Sequence, residues 1–156
     1  MQRNDWIKLF VCILLFETIG FLLGQLTRAN LYPWYSNLNK SSLTPPGVVF
    51  AIVWTFLYAL LAVILWLLSN RQHIHSKKMI VLFALQMLMN WTWSIFFFFF
   101  HWVHFSAIWL VMLFFVNVFF MFHLYKSQKI IAFLLIPYLL WLMFAAYLNT
   151  FIAIMN

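Results

Sequence analysis

Three oily segments of the chain carry aromatic and amide residues at helical spacing. Trp54 and Tyr58 are four apart. Asn90, Trp93 and Ser94 stand 4, 7 and 8 residues after Gln86, which puts all four on one stripe of a helix. Pro137, Tyr138, Ala145 and Asn149 stand at −4, −3, +4 and +8 from Trp141. Each face mixes Trp or Tyr with small or amide residues and carries no charge. Such faces serve either as ordinary helix packing, with Tyr and Trp in interfacial belts, or as the walls of a pocket. A pocket with flat aromatic walls, a few amides and no charge suits a large, planar, mostly apolar ligand.

Other chemistry is poorly supplied. No Ser-His-Asp set, paired carboxylates or glycine-rich phosphate loop is present, so hydrolysis and phosphoryl transfer lack their usual parts. His73-x-His75 and His101-x-x-His104 have no Cys or carboxylate nearby to complete a ligand shell, so no metal site is expected. His123 falls near the end of an apolar run and reads as interfacial. Glu17 lies mid-way along the first run. It is either a protonated acid hydrogen-bonded to a neighbouring helix or a proton or cation site. Gly20 and Gly24 follow it as G-x-x-x-G, a spacing that permits close backbone contact within the chain or across a dimer seam.

The elements that position these residues follow from composition. Of 156 residues, 67% are hydrophobic and 7% charged, with a mean hydropathy of +1.00. A soluble domain carries roughly 25% charged residues, and a fold of this length cannot hide so much apolar surface from water. The expected solvent is lipid. Five runs, about 6–26, 47–69, 79–100, 105–126 and 130–154, are long enough to cross a bilayer as helices. The five consecutive Phe residues 96–100 lack the alternation of a β-barrel strand. The first run is too long for a signal peptide, contains Glu17 and has no A-x-A site, so it reads as a retained helix. Cys12 is the single cysteine, which leaves no internal disulfide.

The net charge of +7 comes from bases in short clusters between apolar runs, which fits membrane topology and not a nucleic-acid partner. Arg3, Lys8, Arg71, Lys77, Lys78, Lys126 and Lys129 fall on one side, Arg28 and Lys40 on the other. The positive-inside rule then puts the N-terminus inside and the C-terminus outside. The predicted fold class is an all-α membrane protein, a five-transmembrane-helix bundle forming a single domain. Short gaps make neighbouring helices antiparallel. Only the first loop, about 27–46, is long, and it lies on the side of the 101–104 turn and the C-terminus. No internal repeat is visible, which disfavours an inverted-repeat transporter.

Several motifs, taken together, resemble the TspO/MBR family of tryptophan-rich sensory and translocator proteins. They are Trp34-Tyr35, Leu38, Lys40, Thr44-Pro45-Pro46, Phe50, Val53-Trp54 and Leu57-Tyr58, then Asn90-x-x-Trp93-Ser94, then Pro137-Tyr138-x-x-Trp141-x-x-Phe144-Ala145-x-x-Leu148-Asn149. The resemblance covers nearly the whole chain. It implies a homodimeric five-helix bundle whose first loop closes over a pocket. It also implies a porphyrin such as protoporphyrin IX or haem, or a PK11195-like small molecule, as ligand, with no cofactor required beyond the porphyrin itself as ligand or substrate. Some bacterial members are reported to degrade protoporphyrin IX in light, and motif position would give that role to Trp54 and Trp141. The resemblance carries Tyr35, Asn90, Tyr138 and Ala145 into the pocket, and the helical faces above add Tyr58 and Trp93.

The lid departs from the family's Lys-Pro-x-Trp-Thr-Pro-Pro. Here it reads Lys40-Ser41-Ser42-Leu43-Thr44-Pro45-Pro46, one Pro and one Trp fewer, which implies a less rigid loop. No Lys or Arg follows Tyr147, so the cholesterol motif of the animal proteins is not supported. Three functions stay open: porphyrin binding with light-dependent degradation, a non-enzymatic tetrapyrrole or stress sensor, and a porphyrin or lipophile transporter. The expected location is a bacterial plasma membrane.

Overall fold

A computed structural model describes residues 3–70 and 76–156. Its helices are α1 (Arg3–Ala29), α2 (Gly47–Ser69), α3 (Ser76–Ser94), α4 (Val103–Ser127), α5 (Lys129–Leu134) and α6 (Ile136–Met155). No strand occurs among the described residues. Five helical segments are long and apolar enough to cross a membrane, the fifth being α5 and α6 together over Lys129–Met155. Arg71 and the His73-x-His75 pair lie outside the described residues.

The expected boundaries shift where local chemistry intervenes. α1 runs past residue 26 to Ala29, and Asn30 closes it by donating its side-chain amide to the carbonyl of Leu26 at 2.8 Å. Pro46 stands just outside α2 with an extended ψ of 150°, so that helix begins on Gly47 as expected. α3 loosens after Ser94 into a wide π-helical turn, Ile95–Phe99, where the N–H of Phe100 reaches back to the carbonyl of Ile95. His101 then takes a left-handed backbone with φ of 58°. That single residue reverses the chain, so α4 starts at Val103, two residues earlier than expected. Ser106 donates its hydroxyl to the Val103 carbonyl at 2.8 Å in the first turn of α4. The run expected as one helix over 130–154 is two helices broken at Leu135. Pro137 is the cause: it offers no N–H, and its ring collides with the carbonyl four residues back, so the helix yields just before it.

α1 packs mainly on α2, and α4 on α3 and α6. The buried centre is built from Leu57, Leu61, Ile64 and Leu68 of α2, Phe83 and Met87 of α3, Leu110, Leu113, Phe120 and Leu124 of α4, and Ile131 and Leu142 of α5 and α6. The outward faces are equally apolar; Trp6, Phe10 and Phe21 of α1 are all more than half exposed. An apolar exterior around an apolar core is the pattern of a bundle solvated by lipid. α1 contributes little to the centre beyond Phe16 and stands as the bundle's outrigger.

The first loop lies on the side where α3 meets α4 and where α6 ends, as five alternating spans require. Asn39 donates its backbone N–H to the side chain of Asn156 at 2.9 Å, and Asn156 returns a bond to the Asn39 carbonyl at 3.1 Å. Trp34 stacks on His101 with ring centroids 3.9 Å apart.

Candidate functional site

α2 meets α5 near the end of the bundle away from the loop. Toward the loop, aromatic rings bridge α2 to α6. Trp141 receives Phe50 at 5.5 Å and Trp54 at 6.4 Å between centroids, the latter at 90°. Trp54 in turn lies 5.3 Å from Tyr58, one helical turn deeper. Phe50, Trp54 and Tyr58 share one face of α2 because each is four residues from the next. Edge-to-face aromatic pairs of this kind are favoured by the ring quadrupole.

Beneath the rings runs a buried hydrogen-bonded chain. Tyr58 donates its hydroxyl to Oδ1 of Asn90 at 3.2 Å. Asn90 donates Nδ2 to the Tyr138 hydroxyl at 3.0 Å, and Tyr138 donates to Oε1 of Gln86 at 3.1 Å. Tyr138 and Gln86 are fully buried, and Asn90 nearly so. The chain ties α2, α3 and α6 together at one level. Away from water an unmade hydrogen bond leaves a polar group stranded, so each member fixes the rotamer of the next. Gly20 of α1 makes room for it: a Cβ there would stand 2.6 Å from Cε2 of Tyr58. Gly24, its partner in the G-x-x-x-G pattern, faces open space, and a Cβ there would meet nothing within 4 Å. The glycine pair therefore serves ring packing at Gly20 alone.

Two donors of this region have no protein partner. Nε1 of Trp141 and Nε2 of Gln86 are both buried and unbonded. Buried donors normally find an acceptor, and the Trp141 indole N–H belongs to a ring that meets Phe50, Trp54 and Phe144. Oε1 of Glu17 is also buried without a partner, and its side chain lies against the backbone of Ala59 beside Tyr58.

A second aromatic cluster lies under the loop. Trp93 stacks on Phe97 with centroids 5.7 Å apart, and its indole donates to Oδ1 of Asn149 at 2.9 Å. Asn149 passes the contact on to the carbonyl of Val103 at 3.1 Å, which pins α6 to the start of α4. Tyr35 packs on Phe97 and Phe98 at 6.1 and 5.6 Å. Burial pushes the Tyr35 phenol above its usual range, so it stays neutral. Lys40 donates to the carbonyls of Tyr35, Ser36 and Leu38 at 2.8, 3.1 and 2.8 Å, gathering the loop into a knot. Ser41 is within 3.0 Å of the Tyr147 hydroxyl, a second tie to α6.

The structure thus brings Trp54, Tyr58, Asn90, Tyr138, Trp141 and Ala145 into one packed region. It sets Tyr35 with Phe97 and Phe98 in the neighbouring cluster, and Trp93 touches both. Phe50, Gln86, Gly20 and Asn149 complete the arrangement and were not among the expected site residues. The first two carry a legible signal, each lying four residues before an expected one.

The sequence profile of the TspO/MBR family matches residues 12–155. A tryptophan-rich protein TspO of Chlorobaculum tepidum is 32% identical, with 99% of each chain covered. One of Archaeoglobus fulgidus is 29% identical over 96% of this chain and 97% of its own. A translocator protein of Bos taurus is 29% identical over 92% of this chain and 87% of its own.

Proposed function

Since the chain belongs to the TspO/MBR family and is a multi-pass membrane protein, we propose that it binds a porphyrin between α2, α3 and α6 under the first loop. The observation that carries this reading is the perpendicular Trp54–Trp141 pair with an unbonded indole N–H on Trp141. Two indole faces at right angles offer both a stacking wall and an edge to a planar macrocycle. The free N–H supplies one donor to a carboxylate or ring substituent. The Tyr58–Asn90–Tyr138–Gln86 chain forms a rigid floor that carries no charge. The loop, tied at Asn39, Lys40 and Ser41, acts as the cover. In a bacterial host the membrane is the plasma membrane, with the cover outside.

Light-dependent degradation is the activity this site fits. The porphyrin absorbs the photon, and its excited state takes one electron from Trp54 or Trp141. The porphyrin anion radical adds dissolved dioxygen, which opens the macrocycle. The oxygenated radical returns the electron to the tryptophan cation radical, so that porphyrin and dioxygen are the only species consumed. The protein contributes position and exclusion of water, while the porphyrin carries the chemistry. The test is to add protoporphyrin IX to purified protein, follow quenching of Trp fluorescence in the dark, then illuminate and follow the porphyrin absorption band. Binding with protein-dependent bleaching that slows in Trp141→Phe supports both steps. Binding with bleaching equal to that of free porphyrin leaves a sensor or carrier and removes the enzymatic step.

A further inference from the structure

A groove of about 240 Å³ opens on the outside of the bundle where α4 meets α5, away from the aromatic site. It is lined by Met121, Phe122 and Tyr125 of α4 and by Ala132, Phe133 and Ile136 of the fifth span, all apolar except the Tyr hydroxyl. Phe122 and Phe133 project into the surroundings, 60% and 57% exposed, as its two lips. The helix break at Leu135, ahead of Pro137, falls within this lining, between Phe133 and Ile136.

One end of the groove is basic. Lys126 and Lys129 flank the α4–α5 connection, both exposed. Lys129 holds its ammonium 5.5 Å from the centre of the Tyr125 ring, and that ring meets Phe133 edge-on at 6.0 Å. The aromatic contact aims the lysine at the mouth of the groove. The chain has two carboxylate side chains, Asp5 and Glu17, and among the described residues neither lines the groove. From Lys129 the lining runs seven residues inward to Ile136, about 10 Å at 1.5 Å per residue. The feature is therefore two cations at the membrane edge above an apolar slot descending into the hydrocarbon.

We propose that this groove holds one anionic phospholipid, with its phosphate between Lys126 and Lys129 and an acyl chain along Phe122, Phe133 and Ile136. Charge complementarity selects the headgroup, and basic pockets between membrane helices on the positive side have this use. The slot selects an amphiphile over a soluble anion. The site faces the leaflet that also meets Lys77 and Lys78, opposite the porphyrin cover, so lipid and porphyrin bind independently.

Native mass spectrometry of the detergent-purified protein tests this with phosphatidylglycerol, phosphatidylcholine and glycerol phosphate as probes. One phosphatidylglycerol per chain should be retained about 30-fold more strongly than phosphatidylcholine, in line with two lysines at an anionic headgroup. Lys126→Gln with Lys129→Gln should bring that ratio near one, and Lys126→Arg with Lys129→Arg should keep it. Lys77→Gln with Lys78→Gln should leave it unchanged. Met121→Trp, which fills the slot, should weaken retention of both lipids. Three outcomes overturn the proposal: no preference in the wild type, equal loss in the Lys77/Lys78 variant, or displacement of the lipid by glycerol phosphate.

Discussion

The ring of Tyr58 occupies the space that a side chain on Gly20 would need, with Cε2 2.6 Å from the Cβ position. The hydroxyl of that ring then reaches Asn90 at 3.2 Å. A glycine on the outermost helix therefore sets the geometry of a hydrogen-bonded chain in the middle of the bundle. Gly20→Ala should push the ring inward or α1 outward, and overpacking of this kind costs about 1–3 kcal/mol. Gly24→Ala meets nothing within 4 Å and should change stability by less than about 0.5 kcal/mol. Thermal unfolding of the two variants in detergent separates them; equal midpoints would show that α1 gives way freely.

Tyr138 both accepts and donates through a single hydroxyl, accepting from Asn90 and donating to Gln86. Tyr138→Phe strands a donor on Asn90 and an acceptor on Gln86, whereas Tyr58→Phe strands only an acceptor. Hydrogen bonds between membrane helices average roughly 0.6 kcal/mol and reach about 1.7. Tyr58→Phe should cost near the first figure, and Tyr138→Phe should exceed it about two-fold. A double-mutant cycle between Tyr58→Phe and Tyr138→Phe should show coupling through Asn90. Strict additivity would mean the amide reorients and the chain is not a unit.

Much of this was legible in the sequence, and the reasons are physical. Length and hydropathy define the spans because lipid demands about 20 apolar residues per helix. That the loop shares an end of the bundle with the α3–α4 turn and the end of α6 follows from counting spans. The stripe Gln86–Asn90 and the pair Trp54–Tyr58 were visible because helix period alone puts them on one face. Partners across helices were not, since nothing in the spacing says that Asn90 bonds Tyr138 or that Trp93 bonds Asn149. Gly20 and Gly24 look equivalent in the sequence and differ only in what stands opposite. Pro137 was visible, yet its consequence, a break at Leu135, competes with the tolerance of membrane helices for proline. The reversal at His101 was hidden because a left-handed backbone is unusual for any residue but glycine.

The loop should loosen at alkaline pH. Burial raises the Tyr35 phenol above its ordinary value near 10. The folded loop thus keeps its proton where the unfolded loop has lost it. The stabilisation is complete below the unfolded value and fades as pH rises through the folded one. The protection of residues 30–46 from hydrogen exchange, taken relative to the intrinsic rate at each pH, should fall above about pH 10, and Tyr35→Phe should flatten that fall. A variant with the wild-type profile would assign the transition to another group.

Lys40 holds three loop carbonyls with one ammonium. Lys40→Met keeps the length of the stem and removes all three bonds. Bonds to charged groups contribute roughly 1.5–3 kcal/mol each when buried, and less at this half-exposed position. The expected result is protease cleavage within 36–43 at a rate at least about ten-fold above wild type, in line with a loss of about 1.4 kcal/mol or more. The spans should unfold at an unchanged midpoint, because the loop's ties to α6 through Asn156 and Tyr147 lie outside the core. A fall in the midpoint equal to the loop's loss would show that cover and bundle unfold together.

Pro137 sets the direction of α6, and through it the positions of Tyr138 and Trp141. Its ring is exposed, so Pro137→Ala removes little packing. It restores an N–H that can bond the carbonyl of Phe133, and Ala is about 3 kcal/mol better than Pro inside a helix. Straightening would swing Tyr138 away from Asn90 and Trp141 away from Trp54. The expected variant is as stable as wild type or more so, yet quenches less on adding protoporphyrin IX and retains less lipid in the α4–α5 groove. The proposed porphyrin and lipid sites lie at opposite ends of the fifth span, so joint weakening without loss of stability would place the cause in the break between them. Unchanged quenching would show that Trp141 keeps its place whatever the course of α5, and that the break serves the groove alone.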